Sequence, residues 1–261
     1  MIGALLSGLE ILKRPQLLLI ALLGSIANSF ILLLSVDYYF SFFYEVFVLG
    51  EIADSSIIDM PFYLLATYAT EILVIVLTII ASLMVWLYVL YAYSAMLSQK
   101  KKVIQALSFA ISKTPEIAIV SSFLLALSFL FAAILFFFFI ATFSFAGFEI
   151  VALLILIAAL GLGAYIYLKL SFTPLFMALG KKTLKQSLGL SWKLSAKHLL
   201  QIAVFLILLS TISGVIAGVF SLLSEYPENE IIAFVLLLAG IAFSSAYYNI
   251  GFIRYFEQLQ E

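Results

Sequence analysis

Cysteine is absent from this chain, and histidine occurs once, at His198. No disulfide framework, thiol chemistry or cysteine-based metal site can be built, and His198 has no second histidine with which to share a metal. Charge is scarce too. Only 10% of the residues are Asp, Glu, Lys or Arg, whereas a soluble domain carries roughly 25%. With 66% hydrophobic residues and a mean hydropathy of +1.25, the chain cannot make a water-facing surface, which excludes soluble folds. Common catalytic signatures are missing as well: there is no phosphate-binding glycine loop, no HExxH, no GxSxG and no aspartate pair on the basic side. As a base, His198 would lack an evident nucleophile. Neither an enzyme nor a cofactor is expected. A removable signal peptide is not expected either: the first apolar run follows Lys13 and Arg14, exceeds about 15 residues and meets Asp37 instead of a small-residue cleavage site.

What the chain has in abundance is long apolar runs. Six spans are predicted, at about Gln16–Val36, Glu71–Ser94, Glu116–Phe143, Glu149–Leu170, Leu199–Leu223 and Ile231–Ile253. Each reaches the roughly 20 residues needed to cross about 30 Å of hydrocarbon. The first continues into an aromatic, acidic stretch that ends at Pro61, and a kink is expected at Pro174. Pro15 and Pro115 suit first helical turns, and Thr114 reads as an N-cap. With these spans, all 13 Lys and Arg fall on one side, from Lys13 to Arg254. The other side holds Asp37, Glu45, Glu51, Asp54, Asp59, Glu71, Glu149, Glu225, Glu228 and Glu230. The positive-inside rule then puts both termini in the cytoplasm, with the protein in the cell membrane.

Between spans lie two related basic segments, QKKKVIQALSFAISKTPE from Gln99 and GKKTLKQSLGLSWKLSAK from Gly180. Lys100, Lys101, Gln105 and Leu107 fall on Lys181, Lys182, Gln186 and Leu188 without a gap. Lys101, Gln105, Ser108 and Ser112 make one helical stripe, repeated by Lys182, Gln186, Gly189 and Lys193. Val103, Leu107 and Ile111, or Leu184, Leu188 and Trp192, cover the opposite face. Such helices lie in a membrane surface with the apolar side down. Residues 1–14 form a weaker relative, with Gly3, Ser7, Glu10 and Arg14 on one face. The predicted fold is therefore all-α and polytopic: six transmembrane helices in three hairpin repeats, each preceded by an amphipathic helix on the cytoplasmic surface. A single transmembrane domain covers 1–261, with repeat units 1–97, 98–179 and 180–261, and any pseudo-symmetry axis runs along the membrane normal.

Candidate polar sites are few. Glu71, Glu149 and Glu230 each open the second helix of a hairpin. They read either as an acidic ring at an outer mouth or, more simply, as carboxylates stabilised by helix N-termini. Asn28 and Asn249 are the span asparagines, expected to hydrogen-bond neighbouring helices. Two small-residue stripes, Ser210/Gly214/Gly218 and Ala21/Ser25/Ser29, read as close helix contacts. Lys169 is expected to snorkel to the inner headgroups, and His198 to be an interfacial polar residue. Phe136–Phe139 and the tyrosines at 38, 39 and 44 fit a lipid-facing body and aromatic belt. Inner-leaflet lipid contact is assigned to Lys100, Lys101, Lys102, Lys181, Lys182, Lys185, Trp192 and Lys193.

The succession AMLSQKKK and VIQALSFAISKTPE, with the later PLFMALGKKTLKQSLGLSWKLSAKH, resembles one family. It is similar to the membrane domain attached to some glycerophosphoryl diester phosphodiesterases and to related stand-alone archaeal and bacterial six-span proteins. The catalytic barrel of the phosphodiesterases, with its acidic metal ligands, has no counterpart here. The resemblance thus implies a six-span membrane domain without hydrolase activity. The expected function is that of an accessory or scaffold domain acting on membrane lipids, notably an anionic inner leaflet, or on a partner membrane protein. No nucleic-acid partner is expected. The alternative is a small transporter or permease with a path between the hairpins.

Overall fold

The computed structural model describes residues 1–45, 63, 66–144, 149–180 and 182–261. Most of the acidic stretch after the first span, and Lys181, lie outside them. The chain is 91% helical, with no strand among the described residues. In order the helices are α1 (Ile2–Ser7), α2 (Glu10–Lys13), α3 (Pro15–Phe43), α4 (Ala69–Leu97), α5 (Val103–Ser112), α6 (Thr114–Ser144), α7 (Glu149–Leu170), α8 (Thr173–Gly180), α9 (Leu184–Ser224) and α10 (Glu230–Gln260). Six segments are long and apolar enough to cross a membrane, running over Pro15–Phe43, Ala69–Leu97, Thr114–Ile134, Leu153–Gly180, Leu184–Ser224 and Glu230–Gln260. The protein is an all-α polytopic membrane protein. Hydrocarbon offers no partner to a free peptide group, so each crossing must satisfy its own backbone as a helix.

Helix ends follow local chemistry, with some departures from expectation. Pro15 opens α3, where its missing N–H costs nothing. Thr114 is not an N-cap. It is the first residue of α6, and its hydroxyl donates back to the Ile111 carbonyl at 2.6 Å, joining α5 to α6 without a loop. The break expected at Pro174 comes at Ser171–Phe172, and Pro174 sits in the first turn of α8. The second basic segment and the fifth span run on as one helix, α9, kinked at His198, whose φ of −129° and ψ of 24° leave the helical region. Residues 1–14 are two short helices rather than one, interrupted at Gly8 and Leu9.

The chain divides into two compact units. Unit 1 comprises Met1–Ala27, Val85–Val120 and Ala164–Glu261. Its centre is the last part of α4, where Leu87, Leu90, Tyr91, Ala92, Tyr93 and Ala95 are all 0% exposed, so this stretch is enclosed on every side. Tyr93 donates to the Leu17 carbonyl at 2.6 Å, and Tyr88 shares a 2.7 Å hydrogen bond with Thr114, fixing α3 and α6 to α4. A second cluster is aromatic: Phe172 stacks on Phe252 at 5.2 Å, Phe176 meets Phe256 edge-on at 4.8 Å, and Phe205 stacks on Tyr255 at 3.8 Å. These rings join α8, α9 and the last turns of α10. The N-terminal helices lie along α10 through Ala4, Gly8 and Ile11, with Glu10 of the polar face 3.5 Å from Arg254. A Cβ on Gly8 would come within 2.5 Å of the Tyr247 ring, whose hydroxyl donates to Leu5 O at 2.9 Å. Unit 2 comprises Asn28–Met84 and Ser121–Gly163. Within it Phe131 of α6 covers Gly163 of α7, where any Cβ would collide with the ring, and Phe42 meets Tyr68 edge-on at 5.7 Å.

The residues most enclosed on α5 and the first part of α9 are small. Ala106 and Ala110 are 0% and 1% exposed, and Ser187, Ser191 and Ser195 are each 0% exposed. Ser187 and Ser191 stand 81 positions after Ala106 and Ala110, so the same register docks both helices. Bulky neighbours on the expected apolar face, Val103, Leu107, Leu184 and Leu188, are only half-buried beside this stripe. Of the two small-residue stripes anticipated in the spans, Ala21 and Ser25 are buried, but Ser210, Gly214 and Gly218 are exposed, and the two glycines have nothing within 4 Å of a built Cβ. Helix α9 instead meets α10 through Phe205, Leu209 and Ser213. Ala110→Leu and Ser191→Leu each force a branched side chain into a closed contact, at about 1–3 kcal/mol. Thermal unfolding in detergent should show lowered midpoints for both and an unchanged one for Ile104→Ser, at a side chain 81% exposed. Equal midpoints for all three would mean that the small stripe is not packed.

Candidate functional site

The basic candidate residues gather at helix ends in unit 1, whereas Asn28, Glu71 and Glu149 belong to unit 2. Lys100, Lys101 and Lys102 form the turn between α4 and α5. Lys100 has a φ of 55°, the one non-glycine residue in the left-handed region among the described residues. That conformation costs on the order of 1–3 kcal/mol and is held here by the Lys101 N–H, which closes onto the Ala95 carbonyl at 3.1 Å. The Lys101 ammonium rests 4.1 Å from the centroid of the Phe109 ring. In the second segment Lys182, Lys185 and Lys193 are exposed along α9 or just before it.

Gln105 and Gln186, aligned in the two segments, prove to be capping residues. Each is the third residue of its helix and accepts from the backbone N–H of the residue before the helix, Lys102 at 3.3 Å and Thr183 at 3.2 Å. Thr183 completes the reciprocal arrangement by accepting from Gln186 N at 3.4 Å. A polar residue three positions inside a helix is the signal that identifies this role from sequence.

Lys169 does not snorkel. It is 4% exposed, with its ammonium 5.1 Å from the Tyr165 ring centroid and 5.3 Å from that of Trp192. The two rings meet edge-on at 5.9 Å, and the Lys169 carbonyl accepts from Ser191 Oγ at 2.8 Å. The cation is therefore sandwiched where α7 meets the docked serine stripe of α9. Desolvated cation–ring contacts of this kind contribute up to about 2 kcal/mol. No carboxylate pairs with it among the described residues.

The remaining candidates behave as helix fittings. Glu71 is half-buried in the first turn of α4, in unit 2. Glu149 is the first residue of α7, also in unit 2. Glu230 is exposed in the first turn of α10, behind Asn229, whose Oδ1 accepts from Ile231 N and Ile232 N at 2.9 and 3.3 Å. Asn249 is buried but bonds within its own helix, donating to Ser245 O at 2.8 Å, and its Oδ1 has no partner. Asn28 Oδ1 is likewise buried without one. The interhelical polar link expected of these asparagines is made elsewhere, by Ser213 and Ser244, whose hydroxyls stand 2.7 Å apart and each reach the other's carbonyl. A serine in an apolar run carries little signal, because it bonds equally well to its own helix. His198 Nδ1 lies 3.1 Å from Gln201 Oε1, at the kink in α9. Among the described residues no group of three His, Asp or Glu is placed to hold a metal.

Trp192 is 43% exposed, one edge against Tyr165 and Lys169 and the rest open, while Ile111, its counterpart 81 positions earlier, is 66% exposed. These open apolar side chains, set between docked and lysine-bearing faces, fit an acyl–headgroup boundary. With Trp86→Phe isolating the signal, brominated lipids should quench Trp192 strongly, and the quenching should persist at high salt. Quenching no better than that of a residue inside the bundle would place this face against protein. Compared with known proteins, the chain matches no family model, no curated protein and no solved structure.

Proposed function

We propose that this protein is a non-enzymatic accessory or scaffold domain of the cell membrane, with both termini cytoplasmic, acting on bilayer lipids or on a partner membrane protein. One observation carries the reading. The helices at the basic end dock by small residues and leave lysines and much of the bulky apolar side chains Ile104, Ile111 and Trp192 open. That is the arrangement of a surface that engages an anionic leaflet, where each basic residue contributes about 1 kcal/mol within a Debye length of about 8 Å. The poverty of ionisable groups in the spans and the similarity of the basic segments to the membrane domain of glycerophosphoryl diester phosphodiesterases favour the same reading. The three repeats, each a surface helix and a hairpin, would then present three lipid-directed elements to one leaflet.

Purified protein in proteoliposomes should show no saturable uptake of amino acids, sugars or phosphate above empty vesicles. Saturable uptake that collapses in Glu71→Gln and Asn28→Ala would make the chain a permease and overturn the accessory reading.

A further inference from the structure

A cavity of about 640 Å³ opens at the basic end of unit 1, between the start of α3 and the turn that follows α4. Its cations are Lys13, Arg14, Lys100, Lys101, Lys102 and Arg254. No carboxylate lines it. Arg254 is already engaged, by Glu257 at 2.8 Å and Glu10 at 3.5 Å, but the other five form no ion pair among the described residues. Lysines after a helix commonly serve to complement its C-terminal carbonyls. That role suits Lys100 or Lys101 behind α4, and Lys13 and Arg14 at the end of the one-turn α2, but the last two also precede the N-terminus of α3, where a positive charge is disfavoured. The N-terminal end of α3 adds its own positive partial charge beside Gln16, which also lines the cavity. Five unpaired cations and a helix N-terminus held around one space repel one another unless an anion fills it.

The same two helices carry a separate apolar groove farther along. A groove of about 230 Å³ is lined by Ile20, Leu23 and Ala27 of α3 and by Val85 and Val89 of α4. Gln16 of the cavity and Ile20, Leu23 and Ala27 of the groove follow 4-3-4 spacing, one face of α3. On α4, Met96 of the cavity shares a face with Val89 and Val85. From Leu17 to Ala27 the helix rises about 15 Å, half of a hydrocarbon core about 30 Å thick. Charge at the end and an apolar track one leaflet deep describe an amphiphile.

We propose that this cavity and groove are a binding site for an anionic phospholipid whose headgroup carries a phosphate with more than one negative charge, the phosphate lying among Lys13, Arg14 and Lys100–Lys102 and one acyl chain along α3. Basic pockets at the cytoplasmic ends of spans suit such headgroups. The proposal rests on the lipid-directed reading above and narrows it to one site and one ligand class.

The test is native mass spectrometry of the full chain in detergent with phosphatidic acid, phosphatidylglycerol or phosphatidylcholine. Retention should fall in that order. Lys13→Gln/Arg14→Gln/Lys102→Gln should weaken phosphatidic acid binding by about tenfold or more. Lys182→Gln/Lys185→Gln/Lys193→Gln, which removes the same charge from leaflet-facing lysines outside the cavity, should weaken it by less than about twofold. Ala27→Trp, which fills the groove from its exposed side, should weaken lipid binding without lowering the thermal midpoint. Equal losses in the two triple variants would reduce the effect to diffuse surface charge and overturn the site. Competition by chain-free glycerol 3-phosphate at concentrations equal to those of the lipid would make the ligand a soluble phosphate and overturn its lipid identity. The readout is independent of flux, so a protein that retains phosphatidic acid in this manner but also transports solute would sink the accessory function alone.

Discussion

Close approach between helices is the constraint on which this structure depends. In hydrocarbon there is no hydrophobic gain from pressing one apolar helix against another, so association rests on van der Waals contact and a few hydrogen bonds. Contact of that kind needs small residues at the point of nearest approach. The chain supplies them where elements meet: Gly8 under Tyr247, Gly24 under Val89, Gly163 under Phe131, Gly240 under Phe220, and the Ala and Ser stripes of α5 and α9. Large rings then fill the space beside these contacts, as Phe172, Phe205, Tyr255 and Phe256 do in unit 1.

Docking by small residues leaves the rest of each helix circumference free, and this is where function enters. A helix that docked through Leu and Trp would spend its apolar face on the protein. Docked through Ala106 and Ala110, or Ser187 and Ser191, α5 and α9 keep much of Ile111 and Trp192 open, and α9 keeps Lys185 and Lys193 exposed. Under the proposed reading three sides serve three neighbours, namely protein, acyl chains and water. The apolar contribution does not weaken with salt, whereas the lysine contribution does, so the two act in different regimes. Lys169 differs from the exposed lysines of α9. Its charge is folded inward beneath Tyr165 and Trp192, ties α7 to α9 and is not part of the open basic surface.

Much of this was legible in advance. Span number and type follow from run length and composition, because twenty apolar residues have few other uses, and the segregation of Lys and Arg needs only the spans to be seen. Span ends were less legible: α3 runs on to Phe43 and α10 to Gln260, since aromatic and charged residues at a boundary continue a helix as readily as they end it. The face by which α5 and α9 dock on the protein is not legible in the sequence. Hydrophobicity singles out Val103, Leu107 and Leu188, whereas the closest contact belongs to residues whose merit is small size, roughly 80° round the helix. Lys169 was misplaced because a snorkelling lysine and a ring-covered one look alike until Tyr165 and Trp192 are seen to converge on it. Asn249 turns its amide N–H₂ to Ser245 of its own helix, which no spacing rule reveals. The basic cavity joins residues as far apart in the chain as Lys13, Lys101 and Arg254, so only the fold assembles it.

The central claim is that an even set of crossings puts every basic segment on one face of the membrane, the cytoplasmic one. The lack of native cysteine allows a direct measurement. Single cysteines placed at Ser55, Lys101, Asn229 and Gln258 should react with a membrane-impermeant thiol reagent outside intact cells at positions 55 and 229 only. Labelling at 101 would contradict the orientation, and labelling at just one of 55 and 229 would contradict the hairpin count.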